Sequence, residues 1–312
     1  MDITFGTMFG QMIGIFMLLV IGFVLKRYKF LSADGDVIMS QLLTKLFLPA
    51  LMFYTFLEEC TIANLKEYGS WVLLGALFQM ASIGLAILLA KPLAKGDKNL
   101  EGIYKYCLAF PNTGGVANPI VLSLFGHLGL FQYQIFLLLN IIACYGWGVL
   151  QLIPSQYRYP IKDAWKNLIS PVNIAMVIGG ILGLTGIGEL LPSAVHTTMQ
   201  NLGNCYSIIA IILVGFVIGK YSLNKLVRNK RTYLLTLLRL ILIPCAFLLV
   251  LSFFEVPAMI VILVCLTYAC PCGMNAVVYP VSYGEDAHAG ASLILITSVL
   301  SVFTIPLLFA IM

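Results

Sequence analysis

Charged residues in this chain are spaced so as to leave ten apolar stretches of about twenty residues, the length a helix needs to cross the roughly 30 Å hydrocarbon layer of a bilayer. They run 3–25, 36–57, 68–90, 102–125, 130–153, 168–188, 195–219, 232–254, 256–283 and 288–311. Composition agrees. Of 312 residues 61% are apolar and 10% charged, and the mean hydropathy is +0.99, so the chain carries more apolar surface than one core can hide. A water-soluble globule, a disordered chain and a coiled coil are excluded. The eight cysteines lie mostly within apolar runs, where cysteine acts as a small hydrophobe, and they show neither a disulfide framework nor zinc-ligand spacing.

Loop charge sets the orientation. All but three of the 18 Lys and Arg residues follow the first, third, fifth and seventh stretches; the exceptions are Lys45, Lys66 and Arg239. Basic loops stay cytoplasmic, so these four loops are expected inside and both termini outside. The formal charge of +5 is then a matter of topology and predicts no nucleic-acid partner. Asp2 precedes the first stretch and Lys26, Arg27 and Lys29 follow it, the reverse of a signal peptide, so an uncleaved span is expected.

A polar loop at 154–167 straddles the midpoint, with five stretches on either side. An odd number per half makes the second half enter from the opposite face, an inverted repeat. The expected fold is therefore an all-α polytopic membrane protein. Its ten transmembrane helices form two inverted five-helix repeats, 1–157 and 158–312, in which helices 4 and 9 are counterparts. Stretch 4 holds Pro111-Asn112-Thr113-Gly114-Gly115 and Asn118-Pro119; stretch 9 holds Pro271-Cys272-Gly273-Met274-Asn275 and Pro280. Such clusters at mid-depth predict broken, crossing helices, with Pro111, Pro119, Pro271 and Pro280 at the breaks. A shift of 158 superimposes Gly115 on Gly273 and Gly126 on Gly284. Pro49, Pro244 and Pro306 are read as simple kinks.

An unwound segment at mid-depth exposes backbone that only a polar cavity or packed protein satisfies. Opposite entry brings the N-termini of the two second half-helices together, and their unpaired N–H groups favour an anion, above all a carboxylate. Gly114, Gly115 and Gly273 let backbone approach a ligand, while Asn112, Thr113, Asn118 and Asn275 supply neutral donors and acceptors. Asn140 and Gln79 either line the cavity or bond neighbouring helices. Lys45 either adds positive potential to an anion path or snorkels to the cytoplasmic interface. For Arg239, about two turns from the basic loop, the same two readings stand, a charge on the anion path or a side chain at that interface. None of the thirteen acidic residues lies mid-span, which disfavours a proton or sodium exchanger. Neither a metal-ligand cluster nor a catalytic constellation is found, so no cofactor and no enzyme activity are expected.

The pattern resembles the auxin efflux carrier family, which includes plant PIN-type auxin carriers and bacterial malonate or malate permeases. The resemblance covers the whole chain and rests on Leu48-Pro49-Ala50-Leu51, on Pro111-Asn112-Thr113-Gly114 leading to Asn118-Pro119, and on Pro271, Asn275 and Tyr283-Gly284. It implies a scaffold of spans 1, 2, 6 and 7, often dimeric, against which spans 3–5 and 8–10 move as an elevator. It also implies that Asn112, Pro119, Pro271 and Asn275 are crossover and substrate-contact positions. Many members place a bulkier apolar residue where Gly115 stands, which implies a roomier or more polar pocket here. The function expected is a plasma-membrane carrier of a small organic anion, a mono- or dicarboxylate. A sodium- or proton-coupled symporter and a non-transporting ligand sensor are the alternatives.

Overall fold

The computed structural model describes residues 5–32, 34–154, 157, 168–220 and 230–312. Asp2, the loop residues Arg158, Lys162, Lys166, Lys225 and Arg228, and the start of the second expected repeat lie outside them. The described chain is helical: α1 (Phe5–Arg27), α2 (Gly35–Glu59), α3 (Ile62–Tyr68), α4 (Trp71–Ala94), α5 (Lys98–Ala109), α6 (Thr113–Leu152), α7 (Pro171–Thr185), α8 (Ser193–Ile218), α9 (Lys230–Leu251), α10 (Ala258–Ala269), α11 (Asn275–Ser282) and α12 (His288–Ala310). By length and composition α2, α4, α6, α8, α9 and α12 suffice to cross a membrane, while α7 and α10 are apolar but shorter.

Local chemistry explains where several helices begin and end. Thr61, Asp97 and Ser170 each accept a hydrogen bond from a first-turn amide of α3, α5 and α7. Pro171 follows its cap, where a missing N–H costs nothing, and Gly186 at φ 73° closes α7. Interior prolines act differently. Pro49, Pro119 and Pro244 each come two residues after a five-residue turn of π geometry, at Leu43–Phe47, Thr113–Ala117 and Leu238–Leu242. A proline lacks the N–H for the helical bond and its ring crowds the carbonyl four residues back, so widening the preceding turn relieves both. Pro49 and Pro244 therefore do more than kink. Pro306 lies inside α12 without such a turn.

At α6 the structure departs from the sequence reading. Spans expected at 102–125 and 130–153, with a short connection between them, share one 40-residue helical segment. Straight, it would be about 60 Å long, twice the hydrocarbon thickness. It is not straight: Gly126 has φ 65° and ψ −161°, outside any helical conformation.

Packing places α1 against α8 and along α12, and α2 against α7 and α8; α4 packs on α5 and α6, and α9, α10 and α12 pack together. Gly22 and Gly215 let the backbones of α1 and α8 touch, as Gly75 does for α4 and α6. Without a solvent-driven hydrophobic force between helices, such small-residue approaches supply the contact that holds helices together in lipid.

Candidate functional site

Proline dictates where α5 and α10 stop. The residue before proline is pushed out of the helical region, and α5 and α10 end at Ala109 and Ala269, leaving Phe110 (φ −119°, ψ 118°) and Cys270 (φ −66°, ψ 150°) extended before Pro111 and Pro271. The two extended segments then pair. Asn112 N donates to Pro271 O at 2.8 Å and Gly273 N to Phe110 O at 3.2 Å, an antiparallel bridge centred on Pro111 and Cys272. Pro271 and Phe110 supply the carbonyl acceptors, and Asn112 and Gly273 supply the N–H groups.

Helix resumes on both sides of this bridge. Asn112 caps α6, its Oδ1 accepting from Gly115 N at 2.9 Å, while α11 starts after Met274 without a side-chain cap. Asn112 is 7% exposed, and its Nδ2 has no hydrogen-bond partner among the described residues. A Cβ on Gly115 would stand 2.8 Å from Asn112 Oδ1, so only glycine lets the amide fold over the helix start. Gly126 and Gly284, paired by the 158-residue shift, both have positive φ, at 65° and 74°.

These starts open on a cavity of about 410 Å³. Pro111, Asn112, Thr113, Gly114, Gly115, Asn140, Gly273 and Asn275 line it. Other expected residues lie elsewhere. Asn118 is buried and its Oδ1 accepts from Gln134 Nε2 at 3.0 Å; Pro119 and Pro271 are buried, the latter within the bridge; Pro280 lines a separate cavity of about 210 Å³ with Asp97, Glu285 and Asp286. Lys45 is exposed and lines none of these cavities, although Leu43 and Thr44 beside it do.

Sequence reasoning missed the tyrosines of the wall. Tyr206 of α8 donates its hydroxyl to Gly114 O, and Tyr106 faces Cys144 Sγ at 3.4 Å. Tyr145 and Tyr279 complete this side, with Ser40 and Thr44 from α2. The only signal was a hydroxyl inside an otherwise apolar run, easily read as an interfacial aromatic.

Behind the bridge lies a layer of polar groups. Gln79 Nε2 donates to Ala109 O at 3.4 Å, Asn140 donates to Gln79, and Thr297 Oγ1 accepts from Cys272 N at 3.1 Å. Arg239 is its centre. The guanidinium is 1% exposed and donates to Leu108 O at 2.9 Å, Thr267 O at 3.2 Å and Cys270 O at 3.3 Å. Of the two readings of Arg239 this excludes the interfacial one: the side chain does not reach back to the basic loop because the carbonyl ends of α5 and α10 lie within its reach.

The chain matches the family described as "membrane transport protein" twice, over residues 7–161 and 153–309. No curated protein matches it.

Proposed function

From the premise that the chain belongs to the membrane transport protein family, that of the auxin efflux carriers, we propose that it carries a small organic anion across the plasma membrane. The observation that carries this reading is the unpartnered Asn112 Nδ2 at a cavity onto which two helix N-termini open. The first turn of a helix leaves N–H groups without helical acceptors and bears about half a positive charge. Among the described residues no acidic side chain lines the cavity. A carboxylate fits that field, with Asn112 donating one hydrogen bond and the backbone at 113–115 and 273–275 close by. The volume suits a small solute.

On this reading α5 with α6 as far as Gly126 forms span 4, and the rest of α6 forms span 5. Span 9 is α10 with α11, which brings the total to ten in two inverted repeats. The matched positive-φ glycines and the pairing of the two interruptions support that relation. α1, α2, α7 and α8 form the scaffold, through which two copies associate. The remaining helices form the moving body, and both termini face outside. An inside-negative potential drives anion export by about 2.3 kcal/mol per charge per 100 mV.

Proteoliposomes loaded with a carboxylate panel (malonate, malate, indole-3-acetate) test this, with a potassium-diffusion potential of either sign, with and without sodium. Potential-dependent flux of one member is the expected result. Flux only under a sodium or proton gradient would make the protein a symporter, and saturable binding without flux would make it a sensor.

A further inference from the structure

α5 and α10 both end at the bridge, so their C-termini meet there, as the N-termini of α6 and α11 do. Each C-terminus presents carbonyls without helical donors and about half a negative charge. Two such ends facing one another repel, and unwound carbonyls of this kind are what coordinates a coupling cation in carriers built from interrupted helices. In this chain a protein cation takes that position. Arg239 sits in the middle of α9, inside the widened turn Leu238–Leu242, and contacts one carbonyl of α5 and two at the end of α10. No carboxylate pairs with it among the described residues. A buried guanidinium without an acidic partner is costly unless something else supplies negative potential, and here the two helix ends do.

We infer that Arg239 is a built-in counter-cation which holds the carbonyl ends of α5 and α10 together where a metal ion would otherwise be needed, so that the site assembles without sodium. The inference rests on the carrier reading above and deepens it. Arg239 is a positioning residue: it touches the back of the bridge and does not line the cavity. Its fixed charge also adds positive potential behind the half-helix starts, on the side from which an anion is held.

The test is the thermal unfolding midpoint of the purified full-length protein in detergent, without substrate, in sodium, potassium, choline or guanidinium chloride at equal low ionic strength. The wild type should have one midpoint in sodium, potassium and choline. Arg239→Ala and Arg239→Gln should unfold on the order of 5 °C or more lower in choline and recover part of that loss in sodium or guanidinium. Arg239→Lys, which keeps the charge but reaches fewer carbonyls, should lie between. A wild-type midpoint raised by sodium over choline would overturn the inference, as would neutral variants that no cation restores. Arg239→Lys as unstable as Arg239→Gln would also overturn it, and that comparison stands if Arg239→Ala does not fold. Because no flux is measured, failure of the carrier reading would show separately, as absent carboxylate transport in a wild type with the expected cation profile.

Discussion

Pro111 and Cys272 lie opposite one another in an antiparallel bridge, so two interruptions 161 positions apart in sequence are one structure in space. Neither segment could be satisfied alone. The extended residues of each expose groups that the other bonds, and the fold of one half is thereby conditional on the other.

Asn112 divides its amide between two tasks, and Asn112→Asp separates them. The aspartate keeps the oxygen that caps Gly115 but loses the free donor and adds a negative charge. Carboxylate affinity should fall at least tenfold, about 1.4 kcal/mol, with the unfolding midpoint near wild type. Equilibrium binding of a transported anion reads the result, and unchanged affinity would remove Asn112 from the site.

Asn275 stands at the start of the uncapped helix. Asn275→Ala should weaken the same binding while leaving expression and the folded fraction in detergent nearly intact, since its truncation breaks no backbone pairing of the bridge. Wild-type affinity in this variant would place the ligand against α6 alone.

Gly115→Ala should disturb both binding and stability, because its Cβ would press on Asn112 Oδ1 at 2.8 Å and displace the cap. A loss of about 1–3 kcal/mol is expected from overpacking. Gly84→Ala in α4, where nothing lies within 4 Å of the added atom, is the matched control and should be silent. Equal behaviour of the two in thermal unfolding would contradict the close approach.

Gly126→Ala should cost about 1–3 kcal/mol, since φ 65° with ψ −161° is open to glycine and closed to other residues. If α6 is a single span with a mild kink instead of two spans joined at Gly126, alanine will be tolerated and the melting curve will not move.

Tyr206→Phe removes the hydroxyl bond from α8 to Gly114 O. Where α8 belongs to the scaffold and Gly114 to the moving body, that bond stabilises one end state. The variant should change the maximal rate of flux more than the binding constant. The opposite split would make Tyr206 a ligand contact.

That helix stops just before Pro111 and Pro271 was legible in the sequence because each proline acts on the residue before it, a purely local effect. Gly126 and Gly284 were visible as a pair for the same reason: their conformation is a property of glycine in a chain that turns there. Arg239 was not legible. Distance along a helix from a basic loop says nothing about which carbonyls stand across from it, and those belong to residues 28 to 131 positions away. Lys45 is exposed and Asn118 is buried against Gln134, placements that depth along a span does not distinguish from the cavity wall. The tyrosines were hidden differently, since tyrosine in an apolar run serves lipid interfaces and polar walls alike.

The widened turns before Pro49, Pro119 and Pro244 each hold one residue more than a regular helix needs. Removing a residue from ordinary helix rotates everything beyond it by about 100° and turns buried faces toward lipid. Removing one from Leu43–Phe47 or Leu238–Leu242 instead leaves the flanking turns in phase. A one-codon deletion at these places should preserve the helix-to-helix register of α2 and α9, while in α9 it would turn the guanidinium away from its carbonyls.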